Sequence, residues 1–185
     1  MNARPALFLD RDGVINVDKA YVHRKEDFVF VDGIFDLVRH ANALDWLVVI
    51  VTNQAGIGRG YYSEAQFHEL MTWVRSEFAN QQCRIDGVYF CPHHPEHGIG
   101  RYRCDCGSRK PAPGMFVRAA REMNIDLPRS MMVGDQPTDM AAAEAAGVST
   151  RLLLRPAADG QELAQQGPET AVIPDLASAI CHLKP

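Results

Sequence analysis

Asp10 and Asp12 stand one residue apart at the end of an apolar run, in FLDRDGVIN (residues 8–16), with Arg11 between them and Gly13 behind. Two carboxylates this close repel unless something positive shares them, so the pair is either a capped turn or part of a cation site. Asp135, in MMVGDQPTD (131–139), follows another apolar run in the same way and favours the second. Carboxylates gathered at neighbouring strand ends are stable when a divalent cation neutralises them, and oxygen-only ligands favour magnesium over zinc. Such a cation usually also holds a phosphate, which needs neutral donors and one fixed positive charge. VTNQAGIGRG (51–60) offers Thr52, Asn53 and a close backbone turn at Gly56, Gly58 and Gly60. Lys110, in SRKPAPG, offers the charge, beside Pro111 and a helix expected to start near Pro113 whose N-terminus has donors for an anion.

A second constellation lies in CPHHPEHGIGRYRCDCGSR (91–109), which has no helical or strand period. Cys91-x-His93 and Cys104-x-Cys106 are enough to close a tetrahedral zinc site, with His94 and His97 as rival ligands. Unrelated thiols, or a redox Cys-x-Cys pair, are the alternatives. Cys83 and Cys181 stand apart and read as buried small hydrophobes.

The elements that must position these groups follow from the hydrophobic pattern. Short, non-alternating apolar runs at Ala6–Leu9, Leu47–Val51, Gly87–Phe90, Met131–Val133, Leu152–Leu154 and Ala171–Ile173 suit strands covered on both faces. Helical spacing occupies Ile34–Ala43, Glu64–Ala79, Gly114–Met123, Asp139–Ala146 and Leu176–Leu183, with Ser63 as an N-cap and Gly147 as a C-terminal stop. This alternation predicts an α/β fold with a doubly wound, mainly parallel sheet. Ligands of such a sheet bind beyond the carboxyl ends of the strands, where Asp10, Asp12, Thr52, Asn53, Gln54, Cys91, His93 and Asp135 all fall. The 185 residues suit one domain, 1–185, with the cysteine loop at 91–109.

Composition excludes several function classes. There are 19 basic against 23 acidic residues, so no basic excess grips nucleic acid. No apolar run approaches the roughly 20 residues that span a bilayer, and no signal peptide precedes Asp10. An odd count of five cysteines argues against a disulfide framework, and a cytoplasmic monomer is expected.

FLDRDGVIN, VTNQAGIGRG, CDCGSRKPAPGM and MVGDQPTDMAAAEAAGV resemble the four motifs of the haloacid dehalogenase (HAD) superfamily of phosphohydrolases. They are most similar to its branch of D-glycero-D-manno-heptose 1,7-bisphosphate 7-phosphatases and histidinol-phosphate phosphatases, over Ala6 to about Leu154. The resemblance implies a Rossmannoid fold with a minimal cap and a magnesium-dependent reaction. Asp10 is then the nucleophile that forms an aspartyl-phosphate, and Asp12 the general acid and base. Thr52 holds phosphoryl oxygens, Lys110 neutralises transition-state charge, and Asp10, Asp135 and the backbone carbonyl of Asp12 hold magnesium. Asp139 reads as a supporting or helix-start residue. The branch also implies Cys91, His93, Cys104 and Cys106 as the ligands of a structural zinc.

With no room for a large cap, specificity is expected from loops: Asp18, Tyr21, Asn53, Gln54 and Arg109, the last for a second anion on the substrate. That favours the 7-phosphate of D-glycero-β-D-manno-heptose 1,7-bisphosphate, a precursor of nucleotide-activated heptose and lipopolysaccharide core. Histidinol phosphate and the α-anomer are the alternatives. A signalling receiver that keeps its phosphoryl group is disfavoured by Asp12, and an inactive zinc-loop binding module by the intact set of reactive residues. The glycine and serine of CDCGSRKP depart from the branch's pattern and lengthen the link from Cys106 to Arg109.

Overall fold

In the computed structural model, which describes residues 3–155 and 170–184, the apolar runs become six strands of one sheet. They are β1 (Ala6–Leu9), β2 (Leu47–Asn53), β3 (Gly87–Cys91), β4 (Met131–Gly134), β5 (Thr150–Leu154) and β6 (Thr170–Ile173). Every pairing is parallel, in the order β3-β2-β1-β4-β5-β6. The helices are α1 (Ile34–Ala43), α2 (Ala55–Gly58), α3 (Glu64–Asn80), α4 (Gly114–Met123), α5 (Pro137–Ala146) and α6 (Ala177–Ile180). Residues 1–2, 156–169 and 185 of the expected domain lie outside the described residues.

Strands buried on both faces need a core on each side, and the sheet has two. Leu7, Leu9, Val48, Ile50, Met131 and Val133 face the apolar stripes of α1, α3 and α6. Their neighbours Ala6, Phe8, Leu47, Val49, Val51 and Met132 face α4 and α5, with Phe8 against Phe116 at 4.9 Å between ring centroids. The alternation follows from the period of two along a strand. It also explains why the runs read as continuously apolar, since neither face meets water.

β1 is central, with β2 on one side and β4 on the other. The chain order reverses there, which opens a crevice at the carboxyl end of β1. Leu9 pairs with Ile50 and with Val133, so Asp10 emerges level with the ends of β2 and β4. That register is what brings three separate sequence segments to one place.

Ser63 caps α3 as expected, accepting from the Gln66 amide while the Gln66 side chain accepts from the Ser63 amide. Gly147 ends α5 in the left-handed region, φ +89°. The differences from the sequence reading are local. α5 begins two residues earlier, because Pro137 is already set for a first helical turn. The glycines after Asn53 form a short helix rather than an open turn: only Gly60 has positive φ, while Gly56 and Gly58 leave room for Tyr62 and for the Pro92 carbonyl. α6 is four residues long, not eight, and leaves Cys181 exposed against the expectation of burial. Cys83 is buried and donates to the Phe35 carbonyl at 3.2 Å.

Candidate active site

The crevice holds a cavity of about 170 Å³ lined by Asp10, Asp12, Asp18, Asp135 and Asp139 together with Thr52, Asn53 and Lys110. Asp10 is delivered by β1, which its amide extends by donating to the Val133 carbonyl at 3.1 Å. After it the chain turns tightly: Gly13 has φ +86°, and the Ile15 and Asn16 amides donate to the Arg11 carbonyl. Val14 and Ile15 are fully buried and anchor this loop in the core. A Cβ on Gly13 would collide with the Asp135 carboxylate, so glycine is required there twice over, by conformation and by space.

Lys110 is the electrostatic centre. Its buried Nζ lies 2.9 Å from Asp10 Oδ1 and 2.7 Å from Asp139 Oδ1, and donates to the Val51 carbonyl at 2.9 Å. Burial opposes a charged lysine, but Asp10 and Asp139 outweigh it and hold its pKa above the ordinary value. Two carboxylates therefore share one ammonium, and the site keeps excess negative charge away from water. Burial, against the pull of Lys110 and with Asp139 and Asp12 adding to it, lifts Asp10 to about 7. Asp135 is also raised, mainly by burial. Asp139, at the third position of α5, accepts from the Gln136 amide at 3.0 Å, so it both starts the helix and holds the lysine.

This arrangement fits a divalent cation. Oxygens of Asp10, Asp135 and Asp139 all lie within 4.8 Å of one another. Asp135 Oδ1 is buried with no hydrogen-bond partner, an open lone pair in a group whose other oxygen accepts from Gln136. A cation would offset the burial and the carboxylate repulsion that lift Asp10 and Asp135. The Asp12 carboxylate stands outside that cluster. It accepts from Arg11 Nε at 3.1 Å and Nη2 at 2.8 Å, from Asn16 Nδ2 at 3.1 Å and from Gln54 Nε2 at 3.1 Å.

The remaining expected contacts divide. Asp18 lines the cavity. Asn53 does too, yet its amide is occupied: Nδ2 donates to the Lys110 carbonyl and Oδ1 accepts from the Lys110 amide, each at 3.0 Å. It clamps the lysine segment to β2. Gln54, expected to meet substrate, is instead buried behind the reactive groups, with its side chain bonded to Asp12, Thr52 and Tyr62. Tyr21 packs edge-on against Tyr61 at 4.8 Å and is not among the residues that line the cavity. Arg109 likewise lies outside that lining and donates to the His93 carbonyl at 3.2 Å. The expected anion donors of α4 are also partly spent, since Gly114 N–H bonds the Gly107 carbonyl at 2.9 Å.

In the cysteine loop, Cys91, His93 and Cys106 bring ligand atoms within 4.8 Å of one another, and Cys91 Sγ lies 3.7 Å from His93 Nδ1. Burial, partly offset by the His93 backbone and reinforced by Cys106, pushes the Cys91 thiol up to about 12. Two thiols beside an imidazole suit a thiophilic cation that displaces their protons. Cys104 is exposed and is not drawn into this set. The rival His94 has its Nδ1 taken by the Glu96 and His97 amides.

Comparison with known proteins agrees with this geometry. Residues 107–179 match the HAD-hydrolase-like family model. The D-glycero-β-D-manno-heptose-1,7-bisphosphate 7-phosphatase of Vibrio cholerae is 50% identical over 92% of this chain and 90% of its own. The corresponding enzyme for the α-anomer from Burkholderia mallei is 56% identical over 80% of this chain and 79% of its own. The crystal structure of D,D-heptose 1,7-bisphosphate phosphatase from B. bronchiseptica, complexed with magnesium and phosphate, superposes with a TM-score of 0.80 at 30% identity, covering 95% of this chain and 96% of that one. A parallel sheet with a carboxylate–lysine crevice at its switch point is that of a HAD-like hydrolase acting on phosphate monoesters. The chain belongs to the heptose-1,7-bisphosphate 7-phosphatase family of that class.

The pKa pattern carries a testable consequence. Asp10 binds its proton more tightly folded (about 7) than unfolded (3.8), so without a divalent cation stability should fall as pH rises between these values. A cation competes with that proton. Magnesium should therefore raise the melting temperature more at pH 7.5 than at pH 5.5, measured by scanning calorimetry of chelator-treated protein. A shift that does not vary with pH would show that the cation binds elsewhere.

Proposed function

We propose that this chain removes the 7-phosphate of D-glycero-β-D-manno-heptose 1,7-bisphosphate, leaving the 1-phosphate, as a single HAD-like unit in the cytoplasm and as a monomer. The single observation that supports this most is the Lys110 triad at the sheet's switch point, with Asp10 and Asp139 on one ammonium and an unpartnered Asp135 oxygen beside it. The substrate follows the names of the relatives. Because the 56% identical relative is named for the α-anomer, that anomer is the second reading.

The proposed sequence has two displacements. A carboxylate oxygen of Asp10 attacks phosphorus; the P–O bond to C7 breaks, and the departing oxygen takes a proton from Asp12. Water then attacks the aspartyl-phosphate, gives its proton to Asp12, and releases phosphate with Asp10 restored. Lys110 and the Thr52 hydroxyl oppose charge on the phosphoryl oxygens, a contribution that grows in the transition state. Magnesium on Asp10, Asp135 and the Asp12 backbone carbonyl would supply further charge neutralisation between nucleophile and phosphate. Asp18 accepts from sugar hydroxyls, and Tyr21 stands further out with Tyr61. Arg109 is the proposed receptor for the second phosphate, which requires its guanidinium to leave the His93 carbonyl. Zinc on Cys91, His93, Cys106 and, after a local rearrangement, Cys104 is proposed to pin the loop that ends at Lys110.

The test of the substrate is phosphate release from the β- and α-anomers of the bisphosphate and from histidinol phosphate. The β-anomer should give the highest kcat/KM, and Arg109→Ala should raise KM for the bisphosphate more than for a sugar monophosphate. A higher kcat/KM for histidinol phosphate would overturn the heptose assignment.

Asp10→Asn should abolish turnover while leaving the melting temperature similar or higher, since an amide keeps the shape and removes excess charge. Turnover by that variant would refute the covalent route.

Protein purified without chelator should carry about one zinc per chain by elemental analysis. Cys106→Ser should lower that content and, by loosening the segment before Lys110, reduce activity. Zinc-free protein with full activity in the presence of magnesium would remove zinc from this account.

A further inference from the structure

Gln54 and Tyr62 form a buried pair behind the reactive groups that the proposed reaction does not yet use. The Tyr62 hydroxyl donates to Gln54 Oε1 at 2.6 Å. The other end of the same amide, Nε2, lies 3.1 Å from Asp12 Oδ2 and 2.8 Å from Thr52 Oγ1. An ionised Asp12 only accepts, so the end of the amide facing it must be the NH₂, which fixes the orientation independently of Tyr62. Both protons of that NH₂ are then used, one on Asp12 and one on Thr52. Because Thr52 Oγ1 accepts from Gln54, its own proton is left to point into the cavity, where a phosphoryl oxygen would accept it.

We propose that Tyr62 is a positioning residue for phosphoryl transfer: through the side-chain amide of Gln54 it orients Asp12 and the Thr52 hydroxyl together. This rests on the phosphomonoesterase reading above but not on the heptose assignment. An amide is nearly symmetric in shape, and only its hydrogen bonds decide which end is which. Without the phenol proton, only an ionised Asp12 holds Oε1 away from the catalytic side, and that hold is lost whenever Asp12 carries the proton it gives to the leaving group, since a protonated carboxyl can donate to Oε1. A turned amide would set an oxygen against the Asp12 carboxylate and against Thr52 Oγ1, and the Thr52 proton would be drawn inward to it.

The phenol is well placed to act as such a lock. It is 5% exposed, and the His23 ring stacks on it at 4.9 Å with an interplanar angle of 4°. Gly56 also lies close against it, and a Cβ there would run into the phenol ring. Burial, with Asp12 adding to it and Arg11 opposing, holds the Tyr62 pKa at about 12, so the group keeps the proton it donates. Neither Gln54 nor Tyr62 is among the residues that line the cavity with Asp10. Their effect should therefore fall on kcat rather than on KM.

Tyr62→Phe removes only the hydroxyl. On an alkyl phosphate it should lower both kcat and single-turnover formation of the phosphoenzyme about tenfold, part of the roughly 10²–10⁴-fold that a positioned acid and base supply, with KM changed less than about twofold. On p-nitrophenyl phosphate, whose leaving group needs no proton, single-turnover formation of the phosphoenzyme should slow much less. A Gln54→Leu/Tyr62→Phe double variant should lose no more than Gln54→Leu alone, because both act through one amide. Equal losses on the two esters, or losses of the single variants that multiply, would overturn the role of Tyr62. Wild-type protein inactive on both esters would overturn the proposed reaction, and this inference with it.

Discussion

A single buried ammonium governs this molecule. Lys110 Nζ is held between Asp10 and Asp139 under the carbonyl of Val51, with almost no access to solvent. An isolated ammonium in such a place would cost several kcal/mol, so the lysine can stay charged only where carboxylates surround it. The neighbouring details follow from that requirement. Asn53 grips the backbone of Lys110 on both sides, and Gly134 lacks the Cβ that would strike Asp139. Because Asp10, Asp135 and Asp139 outnumber the one lysine, the site is stable only with further positive charge or with bound protons. That imbalance is what makes it a receptor for a cation and, through the cation, for a phosphate.

Arg11 solves a second problem of the same kind. It is fully buried, and its guanidinium bonds both oxygens of Asp12 and the carbonyl of Val22 while lying over the Phe67 ring at 5.8 Å. Removing one partner of a buried pair typically costs about 3–5 kcal/mol, whereas an exposed pair such as Arg39–Asp36 contributes at most about 1 kcal/mol. Asp12 is partly open to the cavity, which reduces the first figure, but Arg11 has no water to fall back on. The residue between the two aspartates therefore faces inward as a counter-charge. It holds the second carboxylate in place by both oxygens and offsets its repulsion with the first.

The cysteine loop and the segment that carries Lys110 are mechanically one. Arg109 N–H donates to the Cys106 carbonyl, its guanidinium to the His93 carbonyl, and the Ala112 amide to the Arg109 carbonyl. Lys110 follows at once, already tied to Asn53. The loop has little apolar content of its own, so its local order rests on these hydrogen bonds, and Cys91, His93 and Cys106 bring their ligand atoms within 4.8 Å of one another there.

The strand runs, the doubly wound class and the positions of Asp10, Asp12, Thr52, Lys110 and Asp135 at segment ends were legible in the sequence. Burial on both faces writes a continuous apolar run into each strand, and chemistry at strand ends writes a polar residue just after it. Ser63 and Gly147 were legible for a related reason, since caps act on the backbone within one turn. What the sequence could not carry were contacts between distant segments. Asp139 on Lys110, Tyr62 behind Gln54 and the inward turn of Gln54 depend on the register of β1 with β2 and β4 and on which side of a loop a side chain faces. Gln54 reads as a phosphate-loop residue because it follows Asn53, yet the chain turns there and points it into the core. The same holds for Cys104: its spacing matches Cys106, but spacing fixes only reach, and the fold draws Cys106 to Cys91 while Cys104 stays exposed. Local patterns determine which groups are available; only packing across the sheet decides which of them meet.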